Sequence, residues 1–108
     1  MCAGVESKRL SNTIGDNLPI YPVKGYSITI HNPKIAPWTS LLDDGAKIVT
    51  ARLGNDRLRI AGTAEFNGYN TDIIQARIKP LITWAETMFP GINTEKYYTV
   101  GWTSSYDA

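Results

Sequence analysis

Few residues in this chain have a type and spacing that could carry chemistry. Asp43 and Asp44 are the only adjacent acidic pair. Paired carboxylates can share acid–base work, but beside Gly45 in a loop rich in proline and glycine they read as a solvated turn. His31 is the single histidine and Cys2 the single cysteine, which excludes the usual His/Cys zinc set and any internal disulfide. Cys2 would need a neighbouring base to act as a nucleophile, and none is marked, so it reads as a small buried hydrophobe at a strand end. Arg57 and Arg59 alternate with Leu58 and Ile60 and read as exposed sheet cations that discourage aggregation. Arg52 differs in parity: it opposes Val49, Ala51 and Leu53 and shares the face of Ile48 and Thr50, where it could reach a ligand anion. Three tryptophans and six tyrosines are many for 108 residues. Tyr21, Tyr26, Tyr69, Tyr97 and Tyr98 suit either a core or a pocket, and Trp84 reads as helix packing. No phosphate loop or Ser/His/Asp set appears.

Composition narrows the class further. With 43% hydrophobic and 19% charged residues, the chain can bury one core and is not disordered. Eleven lysines and arginines against ten acids leave a charge of +1, unlike a dedicated nucleic-acid binder. No apolar run approaches the ~18 residues of a membrane span, and the first ten residues carry no signal-peptide core. The expectation is a soluble, cytoplasmic domain.

The elements that must position these residues follow from periodicity. Residues 5–14 place Leu10 and Ile14 one helical turn apart, with Gly15 as the exit, which predicts a short helix. Residues 20–31 alternate, with Tyr26, Ile28 and Ile30 on one face and Ser27, Thr29 and His31 on the other. Pro22 and Gly25 predict a bend or bulge there rather than a central strand. Residues 32–44 read as a loop. Residues 47–53 and 57–62 alternate around Gly54-Asn55-Asp56 and predict a hairpin. From residue 72, Ile74, Ile78, Leu81, Ile82, Ala85 and Phe89 trace one helical face. Asp72 and Gln75 suggest a capping box, and Pro80 predicts a kink or a split. Pro90-Gly91 ends the helix, and residues 96–102 read as a strand. The class is α+β, with a mostly antiparallel sheet, one long Pro-interrupted helix and a short N-terminal helix.

Longer strings are more specific than any single residue. Ile20-Tyr21-Pro22-Val23-Lys24-Gly25-Tyr26-Ser27-Ile28-Thr29 is followed by Ser40-Leu41-Leu42-Asp43-Asp44 and then Lys47-Ile48-Val49. Arg57-Leu58-Arg59-Ile60-Ala61-Gly62-Thr63-Ala64-Glu65, Gly68-Tyr69-Asn70 and Phe89-Pro90-Gly91 complete the series. In this order and spacing they resemble the FAD-dependent D-amino-acid dehydrogenases, whose wider group includes glycine oxidase and D-amino-acid oxidase. The resemblance runs from about Cys2 to Trp102.

The resemblance implies oxidative deamination of a D-amino acid: hydride passes from Cα to the flavin, and water then releases a keto acid and ammonia. The cofactor would carry that chemistry, so no catalytic residue or metal is expected in this chain. By resemblance, residues 1–19 hold the end of a flavin-domain strand and a short helix, with Ala3 and Gly4 beside the cofactor. Residues 20–108 resemble the substrate domain. Lys24 and Gly25 fall at the crossover beside the flavin, where glycine lets the backbone approach closely. Tyr26 and Arg52 are the expected lining of the pocket for the small-molecule D-amino acid.

Two family features are missing: the Gly-x-Gly-x-x-Gly that cradles the FAD pyrophosphate, and the Gly-Leu-Arg-Pro whose arginine clamps a substrate carboxylate. Thr103 stands at that arginine's position when Gly101 is aligned, and threonine cannot form the bidentate pair. Alternatives therefore stay open: part of the enzyme, a folded but inactive substrate-domain piece that self-associates through an exposed sheet face, or an unrelated small binding module. Peripheral membrane association is implied by the resemblance alone.

Overall fold

The computed structural model describes residues 2–107, apart from the side chains of 102–107. Its centre is a five-stranded antiparallel sheet with one long helix packed on one face. In chain order, a 3-10 turn at Gly4–Glu6 leads into α1 (Ser7–Asn12), then β1 (Ile20–His31), β2 (Leu41–Asp43), β3 (Ile48–Leu53), β4 (Arg57–Glu65), α2 (Gln75–Met88) and β5 (Tyr97–Asp107). Across the sheet the order is β2-β3-β4-β1-β5. The α+β class and the β3–β4 hairpin match the periodicity, and Gly54 takes φ +70° in its turn.

Several expectations are corrected. β1 is an interior strand, paired with β4 on one side and β5 on the other. Pro22 is tolerated because pairing to β4 starts only at Lys24; at Pro22 the strand has β5 alone beside it. The expected irregularity is present, between Gly25 and Tyr26, and its extra residue lies on β4: Gly25 faces Ala64 while Tyr26 faces Gly62. Thr63 is left over and adopts φ +56°, a costly conformation for a β-branched side chain. The loop over 32–44 also contains a short edge strand, β2, held by pairing with β3.

The helices also depart from the expected pattern. In α1 the buried residues are Ser7 and Ser11, whereas Leu10, and Ile14 just past the helix, are exposed. Asp72 does not cap α2: the N-cap is Ile74, with no side-chain cap. The helix runs through Pro80 without splitting. Cys2 is exposed rather than buried.

Tyr26, Ile28 and Ile30 of β1, Leu58 and Ile60 of β4, and Ile48 of β3 meet Ile78, Leu81 and Ala85 of α2. Gly62 sits where this packing is tightest. A Cβ there would come within 2.8 Å of Ile48 Cγ1 and 3.2 Å of both Leu81 Cδ2 and the Lys47 carbonyl. Among the described residues, α2 packs on this face of the sheet and not on the other. The rows of that other face, read from the strand pairing, are Val49-Ala61-Ser27-Val100 and Ala51-Arg59-Thr29-Tyr98. Arg59 and Arg57 stand on this open face, outward as their parity requires.

Candidate functional site

The charged centre of the molecule lies at the bulge. Lys24, Tyr26 and Glu65 are all buried there, on the α2 side of the sheet. The Lys24 ammonium lies 3.4 Å from Glu65 Oε2 and donates to the Asp72 carbonyl at 2.6 Å. The Tyr26 hydroxyl donates to Glu65 Oε2 at 2.5 Å and accepts from the Ile74 N–H at 3.4 Å. These bonds join β1, β4 and the segment that leads into α2. The Tyr26 hydrogen bond, aided by the charge of Lys24, holds the Glu65 carboxyl below its ordinary 4.5 despite burial. Burial alone would lower the Lys24 ammonium, but the Tyr26 and Glu65 oxygens outweigh it and hold the group above 10.5.

Sequence periodicity did not reveal Glu65 as a partner. Counted along β4 from the inward Leu58 and Ile60, residue 65 falls outward. The leftover Thr63 reverses that parity and brings Glu65 inward beside Lys24. A lysine in the middle of an otherwise uncharged strand is the one local hint that a buried acid is required.

The six expected site residues divide between two ends of the sheet. Ala3 and Gly4 form the entry to the 3-10 turn, and this region ties to the bulge end: Tyr69 Oη donates to the Val5 carbonyl at 3.4 Å, and the Gly68 N–H donates to Tyr21 Oη at 3.0 Å. Lys24, Gly25 and Tyr26 are adjacent, yet strand parity sends them to opposite faces. The Lys24 and Tyr26 side chains are enclosed on the helix side, while Gly25, itself buried, faces the other side of the sheet. Two residues along that face, the buried Ser27 Oγ has no hydrogen-bond partner among the described residues. Thr103 pairs with Lys24 across β5, but its side chain lies outside the described residues.

Arg52 is not with them. It pairs with Leu58, and Leu58 with Ile30, four residues along β1 from Tyr26, or about 13 Å at strand rise. Its guanidinium donates to the carbonyls of Ala36 at 3.1 Å, Gly54 at 3.1 Å and Asn55 at 3.4 Å, and lies 3.9 Å over the Trp38 ring. The structure therefore builds no common pocket from Tyr26 and Arg52.

The remaining candidates are absorbed by the fold. Asp43 accepts from the Ala46 N–H at 3.0 Å and from Trp84 Nε1 at 2.8 Å, so it closes the turn and ties α2 to β2. Those two donors hold its carboxyl below the usual range. Asp44 pairs with Lys47 at the surface, and His31 packs its ring 5.2 Å from Tyr98. No group of three or more metal-ligating side chains occurs among the described residues, and none of the helices among them is long and apolar enough to cross a membrane.

The fold and its bulge string have a family. Residues 1–108 match the DAO family of FAD dependent oxidoreductases. The chain belongs to that family. More particularly, it is 53% identical over 107 residues to D-amino acid dehydrogenase 3 of Mesorhizobium japonicum, covering 94% of this chain and 26% of that protein. It is 51% identical over 89 residues to a D-amino acid dehydrogenase of Dechloromonas aromatica, covering 81% and 21%. A D-amino acid dehydrogenase of Rhizorhabdus wittichii is 44% identical over 89 residues, covering 81% and 21%. The chain thus spans about a quarter of the length of these curated relatives.

The residues present do not by themselves make a site for FAD. The sequence has no Gly-x-Gly-x-x-Gly to cradle a pyrophosphate. The Lys24 ammonium is already occupied by Glu65 and the Asp72 carbonyl.

Proposed function

We propose that this chain is the part of a FAD-dependent D-amino acid dehydrogenase that forms a wall over the reacting centre, while residues outside it grip the cofactor. The observation that carries this reading is the 53% identity to D-amino acid dehydrogenase 3 across nearly the whole chain. Within the wall, Gly25 is the position where backbone without a side chain meets a large planar ring, since its parity with Ser27 turns it away from α2. Lys24 and Tyr26 act from beneath. Their bonds to Glu65 and the Asp72 carbonyl fix the bulge and so fix where Gly25 lies. The redox step belongs to the flavin, and the chain supplies position and exclusion of water. Arg52, held at the other end of the sheet, has no part in this wall.

A titration of the 108-residue chain with FAD, followed by flavin fluorescence, tests the division of labour. The folded chain, verified by circular dichroism, is expected to give no saturable change at micromolar FAD. Tight, stoichiometric binding would overturn it, because the grip would then lie within these residues.

A further inference from the structure

The end of the sheet remote from the bulge carries a second constellation. The loop after β1 folds over the β3–β4 turn and encloses a cleft of about 550 Å³, lined among others by Asn32, Lys34, Trp38, Arg52, Asn55 and Arg57. Three of these are cations. Neither Lys34 nor Arg52 has a carboxylate partner among the described residues, and Arg57 has only Asp56, at 3.8 Å. Three Arg52 N–H groups go to backbone carbonyls, which leaves two of its five donors and an uncompensated charge. The carbonyls lock the guanidinium against one face of Trp38, and the ring is nevertheless 81% exposed. A tryptophan held this openly, on a rigid cationic support, is a stacking platform rather than core. The loop itself is built with strain: Asn32 and Lys34 take φ +48° and +64°. That conformation costs free energy and projects Lys34 from a fixed backbone.

We propose that this cleft binds an anion bearing a flat ring, of the nucleoside monophosphate class. The ring lies on Trp38, and the phosphate is held by Lys34, Arg57 and the free donors of Arg52. The chemistry follows from the parts: guanidinium forks and an ammonium suit phosphate oxygens, and aromatic planes stack bases with little regard to identity. The cleft is of ligand size and stands apart from the Gly25 wall, so its occupancy does not depend on the proposed reaction.

The test is a titration of the 108-residue chain with AMP, read by tryptophan fluorescence, with Trp38→Leu to assign the response. Saturable quenching that disappears in Trp38→Leu, weakens at least tenfold in Lys34→Glu and falls with added salt is the expected result. Adenosine and inorganic phosphate, each offering half of the ligand, should bind at least tenfold more weakly than AMP. Lys34 and Trp38 are exposed, so these variants keep the fold. Arg52→Lys, which retains charge but loses the clamp, should also weaken AMP. No saturable response to millimolar AMP would overturn the proposal, as would equal responses from the chain and Lys34→Glu. Sedimentation with phosphatidylglycerol vesicles in the absence of an AMP response would also overturn it, in favour of a lipid surface.

Discussion

Leu81→Ala should destabilise the chain by about 2–5 kcal/mol, the range for emptying a fully buried leucine site. Leu81 is fully buried in the middle of α2 and stands over Gly62, where no side chain from the sheet can move in to fill the void. Neighbours cannot collapse easily either, since Ile48, Ile60 and Ile78 are themselves enclosed. The cost therefore belongs at the upper part of the range. Among the described residues α2 is the only helix in this core, so its loss of contact undoes the whole layer. Urea denaturation measures it, with Leu42→Ala as the control. Leu42 is 69% exposed on the edge strand, and its truncation should stay within about 0.5 kcal/mol. A cost for Leu81→Ala no larger than the control would mean that α2 does not pack as described.

The second large effect concerns the buried charges. Glu65→Leu leaves the Lys24 ammonium enclosed with no carboxylate, only the Asp72 carbonyl and the Tyr26 side chain beside it, and leaves the Tyr26 hydroxyl only the longer bond to the Asp72 carbonyl at 3.4 Å. An uncompensated buried charge costs more than the pair ever contributed, so the loss should equal or exceed that of Leu81→Ala. The double variant Lys24→Met/Glu65→Leu removes both charges and should regain most of the loss. The pair also sets a pH signature. Because the folded Glu65 carboxyl lies below 4.5, its stabilisation is full above that pH and is lost as pH falls through the folded value. Because the folded Lys24 lies above 10.5, its contribution is full below that pH and is lost as pH rises through the folded value. The double variant should therefore show a flatter loss of stability in acid than the parent. Parallel acid profiles for the two proteins would contradict the pairing.

Strand and helix identity were readable because they rest on periodicities that tertiary structure preserved. Tyr26, Ile28 and Ile30 are all inward, as are Ile78, Leu81 and Ala85. What pattern could not convey were events that change parity or depend on distant partners. Thr63 carries no mark of a bulge, yet it alone turns Glu65 inward and creates the Lys24 site. Pro22 and Gly25 suggested a bend or bulge rather than a central strand, but Pro22 lies where an interior strand has only β5 beside it. Lys24, Gly25 and Tyr26 stand together in sequence, so the resemblance gathered them at one surface. Alternation then sends Gly25 to the opposite face. Arg52 was rightly placed on the face of Ile48 and Thr50. Its distance from Tyr26 follows only from the hairpin register, which pairs it with Leu58.

The most direct test of the proposed wall is a replacement in D-amino acid dehydrogenase 3 of Mesorhizobium japonicum, with this chain exchanged for the 107-residue region it matches. The chimera is expected to purify yellow with bound FAD and to reduce a redox dye with D-amino acids but not with their L-enantiomers. Adding Gly25→Val should abolish that dye reduction while the chimera stays folded. A folded chimera that holds FAD but gives no dye reduction with any D-amino acid would contradict the account, as would one indifferent to Gly25→Val.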